Sequence, residues 1–160
     1  MKVVIGADRG GFSLKEAIKT ALDARGYDIV DTNPDGPILF QDAAMAVAGG
    51  VQRGEFDRGI VICGTGMGVS IIANKHQGVY AALCESVYTA KRARVVNKTN
   101  VLCMGGMIIG NAMGIEMALA WLEAEYMEGF EGERREYLAK EFDALVDFEN
   151  DSFGAKEDVK

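Results

Sequence analysis

A thiol followed by alternating glycines is the part of this sequence best equipped to do chemistry. Ile60-Val61-Ile62 runs into Cys63-Gly64-Thr65-Gly66-Met67-Gly68-Val69-Ser70, where helical spacing begins. The apolar run predicts a buried parallel strand. Glycines just after such a strand let the backbone turn sharply and bring its N–H groups close to a ligand. The start of a helix adds further unpaired N–H groups and a positive dipole end. The stretch therefore reads as an anion cradle with a nucleophile or base, Cys63, at its rim. A cysteine here can equally be a small buried apolar residue; its place before a glycine loop and a helix start favours a working thiolate. Cys84 and Cys103 have no such company and read as core.

The elements that position this loop follow from hydrophobic periodicity. Lys2 to Ala7 predicts a first strand, ending at Asp8-Arg9-Gly10-Gly11. Leu14, Ala17, Ile18, Ala21 and Leu22 repeat at helical spacing, with Ser13 and Glu16 as a capping pair and Gly26 as the stop. Tyr27 to Val30 predicts a second strand ending at Asp31, and the loop that follows holds both prolines, Pro34 and Pro37. Helices are predicted from Phe40 to Arg53, from the glycine loop through Lys75, from Ser86 to Val96 and from Asn111, as cap, to Glu125. Val79 to Cys84 and Asn100 to Met104 predict the fourth and fifth strands, and a last helix is predicted over 133–148. Strands that alternate with helices imply a parallel sheet with helices on both faces and right-handed crossovers. We expect one domain over residues 1–149, its last helix free to pack on a partner subunit, and a polar tail over 150–160.

Bulk properties narrow the function. The 160 residues suffice for one domain with a full core. A formal charge of −7 argues against nucleic acid or an acidic membrane as a partner, while leaving room for a local basic pocket. No apolar run approaches the roughly 18 residues of a membrane span. The N-terminus enters a strand directly instead of a signal peptide, and the three cysteines then read as reduced thiols in the cytoplasm. A single histidine and the absence of zinc-like cysteine spacing speak against a metal site.

In open parallel sheets ligands bind beyond the carboxyl ends of the strands. That edge gathers Asp8 and Arg9, Asp31, the Cys63 loop, Cys84 and Glu85, and Gly105-Gly106. Two familiar glycine motifs fit poorly. A dinucleotide fingerprint needs its glycines after the first strand; Asp31 qualifies as the acid, but Gly6-Ala7-Asp8-Arg9-Gly10-Gly11 does not match. A phosphate-binding Walker loop needs Lys then Ser or Thr, which the Cys63 loop lacks.

Several segments together resemble ribose-5-phosphate isomerase B and the related galactose-6-phosphate isomerase subunits. They are Ile5 to Asp8, Phe12 to Ala17, Gly26-Tyr27 with Val30-Asp31, Gly59 to Lys75, Ala81 to Leu83, Asn97 with Asn100 to Leu102, and Ile108 to Gly110. The resemblance implies a Rossmann-like three-layer α/β/α sandwich around a five-stranded parallel sheet. It also implies a homodimer, often paired into a tetramer, and aldose–ketose isomerisation of a phosphorylated sugar through a cis-enediolate, without metal or cofactor. The cysteine matching Cys63 is the base in many members; others use a glutamate at the position of Val69. Gly64, Gly66 and Gly68 would hold the enediolate oxygens through backbone N–H groups, and Thr65 would hydrogen-bond the carbonyl or ring oxygen. Asp8 matches a ligand of the sugar hydroxyls, and Asn97 a residue reaching in from the partner subunit. Arg134 matches the first of two phosphate-binding arginines; the second falls near Tyr137 or Leu138.

The departures carry information too. Arg9 stands in place of a histidine and could supply phosphate contacts with its fork of donors; its alternative is a surface salt bridge. Val96 stands where the family carries a ring-opening histidine. That change points to a tetrose phosphate or another sugar phosphate that needs no ring opening. A non-catalytic sugar-phosphate-binding subunit is the rival from another class. Lys91, Arg92 and Arg94 read as a solvated helix face, and His76 as an exposed loop residue.

Overall fold

The computed structural model describes residues 1–154. The element order is β1 (Lys2–Ala7), α1 (Phe12–Asp23), β2 (Asp28–Asp31), α2 (Phe40–Gln52), β3 (Arg58–Cys63), α3 (Met67–Ala73), β4 (Ala81–Leu83), α4 (Val87–Asn97), β5 (Val101–Gly105), α5 (Asn111–Glu123) and α6 (Gly132–Phe153). The strands form one five-stranded sheet in the order β2-β1-β3-β5-β4, and every pairing is parallel. This is the α/β sandwich that the strand–helix alternation requires.

Strand alternation divides the core into two layers. On one face Val3, Ile5, Ile60 and Leu102 pack with Leu14, Ile18, Ala90, Met117 and Trp121 of α1, α4 and α5. On the other, Val4, Val61, Val101 and Cys103 pack with Ala43, Val47, Val69 and Ala73 of α2 and α3. The sheet edges are finished by asparagine amides that stand in for a neighbouring strand's peptide. Asn74 Nδ2 donates to Ala81 O and its Oδ1 accepts the Ala81 N–H, both at 2.9 Å. Asn100 Oδ1 accepts the Tyr80 N–H at 2.7 Å, and its Nδ2 donates to Gly78 O at 2.8 Å. With side chains supplying these bonds, β4 shrinks to three residues, where six apolar positions predicted a longer strand.

Other boundaries differ for local reasons. α1 begins at Phe12 with Gly11 as N-cap, so Ser13 is not the cap. No side chain caps this helix; just ahead of it Asp8 Oδ1 accepts the N–H groups of Gly10 and Gly11 at 2.8 and 3.0 Å and braces the turn into it. Gly110, not Asn111, is the N-cap of α5. Ser86, expected as the first residue of α4, is its N-cap instead and accepts the Thr89 N–H at 3.2 Å. α6 runs to Phe153, so residues 150–153, expected in the tail, are helical; 155–160 lie outside the described residues. Its far end is strapped down by Glu149, whose carboxylate accepts the Gly78 N–H at 2.6 Å and the Tyr80 hydroxyl at 3.0 Å. Among the described residues no helix is long and apolar enough to cross a membrane.

Candidate active site

The strand order changes direction at β1 and β3: β2 lies beyond β1 on one side, while β5 and β4 continue beyond β3 on the other. Loops leaving the carboxyl ends of β1 and β3 therefore diverge and leave a crevice. Asp8 closes one lip of it and Cys63 the other.

Cys63 is the last residue of β3 and is 5% exposed. Its Sγ accepts the backbone N–H of Gly66 at 3.1 Å, which fixes the sulfur against the turn it precedes; Gly66, expected to offer that N–H to the enediolate, has it engaged here instead. Gly66 makes that turn with φ of +78°, a left-handed conformation. Space forbids a side chain there as well, since a Cβ would lie 2.8 Å from the Met104 carbonyl carbon. The three loops at this edge are knit through their backbones: Asp8 N–H to Ile62 O at 3.1 Å, Gly106 N–H to Cys63 O at 2.8 Å and Met107 N–H to Gly64 O at 3.0 Å. Glycine is needed where they touch; a Cβ on Gly10 would come within 2.8 Å of Gly64 N, and one on Gly105 within 2.7 Å of Thr65 C.

The N–H groups of Gly64, Thr65 and Gly68 have no acceptor among the described residues, and all three stand at the crevice mouth as loop or first-turn positions. α3 has only seven residues, so the cradle depends on these individual N–H groups more than on a macrodipole. Thr65 is exposed, its Oγ1 3.5 Å from the Met67 N. Val69 is fully buried and apolar, which leaves Cys63 as the ionisable side chain at the centre of the cradle. Burial pushes the thiols of Cys84 and Cys103 up from their ordinary range, as expected of core residues.

Asp8 spends one oxygen on the Gly10 and Gly11 N–H groups and keeps the other. Arg9, beside it, is exposed and makes no ion pair among the described residues. Two apolar side chains cover the glycines. Phe40 ring atoms lie 2.9 and 3.0 Å from where a Gly68 Cβ would stand, and Met107 Sδ lies 3.3 Å from that of Gly64.

Asn97 and Arg134 are elsewhere. α4 starts at the carboxyl end of β4 and runs back, so its last residue, Asn97, stands at the opposite edge of the sheet. There Asn97 and Arg134 line one cavity of about 350 Å³ with Val96, Tyr137, Leu138 and Glu141. The Arg134 guanidinium sits 5.4 Å from the Tyr137 ring centre and 5.8 Å from that of Phe130. One chain thus brings Asp8, Arg9, Cys63, Gly64, Thr65, Gly66 and Gly68 together and holds Asn97 and Arg134 apart from them. Two residues expected to be solvated have local partners instead. His76 is half-buried, with Nδ1 3.2 Å from Ile72 O, and Arg94 caps its own helix by donating to the carbonyls of Lys98 and Thr99 at 3.2 Å.

Behind Asp8 lies a support that the sequence pattern did not disclose. Lys15 is fully buried and donates to both oxygens of Asp31 at 2.8 Å. Burial works against the Asp31 anion, but hydrogen bonds from Lys15, the Asn33 N–H and Lys19 hold its carboxyl below the usual range. The available signal was a lysine inside the apolar stripe of α1, one residue after Leu14, with an aspartate closing β2.

Residues 3–138 match the model of the Ribose/Galactose Isomerase family. The chain is similar to a 4-deoxy-4-sulfo-D-erythrose isomerase from Clostridium sp., 48% identical over 141 residues that cover 86% of this chain and 89% of that one. It is 38% identical to a D-erythrulose-4-phosphate isomerase from Pectobacterium atrosepticum over 133 residues, 81% of this chain and 87% of the other. Among solved structures, ribose-5-phosphate isomerase B of Clostridium thermocellum superposes with a TM-score of 0.85 at 38% identity, covering 95% of this chain and 99% of that one.

Proposed function

The chain belongs to the ribose/galactose isomerase family, and from that premise we propose that it interconverts an aldose and a ketose bearing a terminal phosphate or similar anion, with Cys63 as the base. The Cys63 thiolate takes the proton from C2 of the aldose, leaving a cis-enediolate; the thiol, exchanging with solvent, then delivers a proton to C1 while a proton passes from O2 to O1, giving the ketose. The free N–H groups of Gly64, Thr65 and Gly68 stabilise charge on the enediolate oxygens, with Thr65 Oγ1 beside them. The uncommitted oxygen of Asp8 orients a sugar hydroxyl. The Arg9 fork meets the anionic end of the substrate. The observation that carries this reading is the sulfur of Cys63, fixed by the Gly66 N–H at 3.1 Å beside those unspent donors.

The working unit in this proposal is a pair of copies, alone or paired again as a tetramer, in the cytoplasm. Asn97 and Arg134, remote from their own chain's thiol, serve the crevice of the partner subunit. Their joint cavity supports that role, as do Tyr137, Leu145 and Phe148, apolar side chains of α6 that lie 40% or more exposed.

One feature favours a four-carbon substrate. Val96 lines the cavity beside Asn97 and Arg134, and it offers no proton donor where ring opening would need one. A tetrose whose C4 carries phosphate or sulfonate has no free C4 hydroxyl with which to close a furanose, so it needs none. Relatives named for erythrulose 4-phosphate and 4-deoxy-4-sulfo-D-erythrose agree with this choice. The test is a panel of D-erythrulose 4-phosphate, 4-deoxy-4-sulfo-D-erythrose, ribose 5-phosphate and galactose 6-phosphate with the pure protein. We expect a four-carbon sugar to have the highest kcat/KM. A protein that binds one of these sugars and converts none would be a non-catalytic binding subunit.

A further inference from the structure

The side-chain amide of Asn33 does the work of a missing strand residue next to Asp8. β2 pairs with β1 only as far as Ile5 opposite Asp31. Beyond it, Asn33 Oδ1 accepts the Ala7 N–H at 3.1 Å, while Asn33 Nδ2 donates to Ala7 O at 2.9 Å and to Gly36 O at 2.7 Å. Both polar groups of the residue before Asp8 are thus held by one planar amide, as a peptide of a neighbouring strand would hold them. The amide is itself immobilised. Asn33 is 5% exposed, its N–H donates to Asp31 Oδ1 at 3.0 Å, and its carbonyl accepts from buried Lys15 Nζ at 3.0 Å. After the excursion over Pro34 to Pro37, the chain returns to bridge Asp8 at Ile38.

We propose that Asn33 is a positioning residue for the isomerisation: its amide sets the orientation of the Ala7–Asp8 peptide, and so of the Asp8 carboxylate towards the sugar, with the Lys15–Asp31 pair as its anchor. The inference rests on the reading of Asp8 as a hydroxyl ligand. Asn33 and Lys15 are buried and bonded to protein groups, so the effect of the network on turnover passes through Asp8.

A double-mutant cycle on kcat/KM separates this from simple structural support. The probe is D-erythrulose 4-phosphate, or the panel sugar with the highest kcat/KM. In the Asp8 background, Asn33→Ala should lower kcat/KM about 10-fold; in an Asp8→Ala background it should change it less than 2-fold, although it lowers the melting temperature equally in both. The same loss in both backgrounds would overturn the proposal and make the network purely structural. If Asp8→Ala alone leaves kcat/KM unchanged, the reading of Asp8 fails, and the positioning role with it. Should Asn33→Ala not fold, the cycle is run with Asn33→Asp, which keeps the acceptor for the Ala7 N–H and removes the donor to Ala7 and Gly36. A folded Asn33→Asp protein with wild-type kcat/KM would equally overturn the proposal.

Discussion

Replacing Gly66 by alanine tests the cradle at the point where backbone conformation, packing and the thiol meet. At φ of +78° an L-residue costs about 1–2 kcal/mol. The new methyl would also lie 2.8 and 3.0 Å from the Met104 carbonyl carbon and oxygen and would clash with Leu83 Cδ1. The leucine can rotate, but the Met104 backbone belongs to β5 in the sheet and cannot retreat cheaply, which adds about 1–3 kcal/mol of overpacking. The sum is about 3 kcal/mol, or roughly a 9 °C drop in melting temperature for a chain of this size. Gly129 supplies the control: it has φ of +74° with nothing within 4 Å of where a methyl would stand, so Gly129→Ala should cost only the backbone part, about 1 kcal/mol. Urea melts of both variants give the difference. Activity should separate them further, because displacing the Gly66 N–H removes its hydrogen bond to Cys63, whereas Gly129→Ala leaves the site untouched. Equal stability losses, or a Gly66→Ala protein with wild-type turnover, would refute the reasoning.

Asp31→Asn strands buried Lys15 and should cost about 3 kcal/mol, measured by urea unfolding. Because the native carboxyl titrates below its unfolded range, its contribution is present above about pH 4 and fades as the pH falls through the lower native value. The stability gap between wild type and variant should therefore close in acid, and a gap that stays constant down to that range would contradict the assigned pairing. Arg9→Ala should raise KM well above any change in kcat; an unchanged KM would remove Arg9 from the anion site. Mixing inactive Cys63→Ala chains with inactive Asn97→Ala chains should restore activity, since hybrid pairs contain one intact crevice. Failure to restore it while mixed dimers form would argue against a shared site.

The strand–helix alternation and the cluster of Asp8 with the Cys63 loop were legible in the sequence, because they depend on local pattern and on the rule that parallel sheets bind at their carboxyl edge. What escaped is non-local. Asn33, Asn74 and Asn100 act as surrogate peptides only where a particular strand edge needs one, and an asparagine in a loop gives no sign of that. Lys15 broke the apolar pattern of α1 visibly, yet its meaning came only with Asp31 at 2.8 Å. Asp8, read as a ligand, also braces the Gly10–Gly11 turn ahead of α1, which starts from Gly11 without the side-chain cap expected at Ser13. The separation of Asn97 and Arg134 from Cys63 follows from helix direction, visible once α4 is placed against β4. The extension of α6 to Phe153 depends on Glu149 finding Gly78 and Tyr80, which are distant in the chain.

The central claim is that the Cys63 sulfur carries the proton. Turnover of the best panel sugar in D₂O, followed by NMR at C1 and C2, tests it with wild type and Cys63→Ala side by side. Wild type should place solvent deuterium in product and in recovered substrate, as a base exchanging with solvent does. Cys63→Ala, folded and still binding the sugar, should lose both isomerisation and exchange by about 10²–10⁴-fold. Exchange and turnover within about 10-fold of wild type would put the base on another residue.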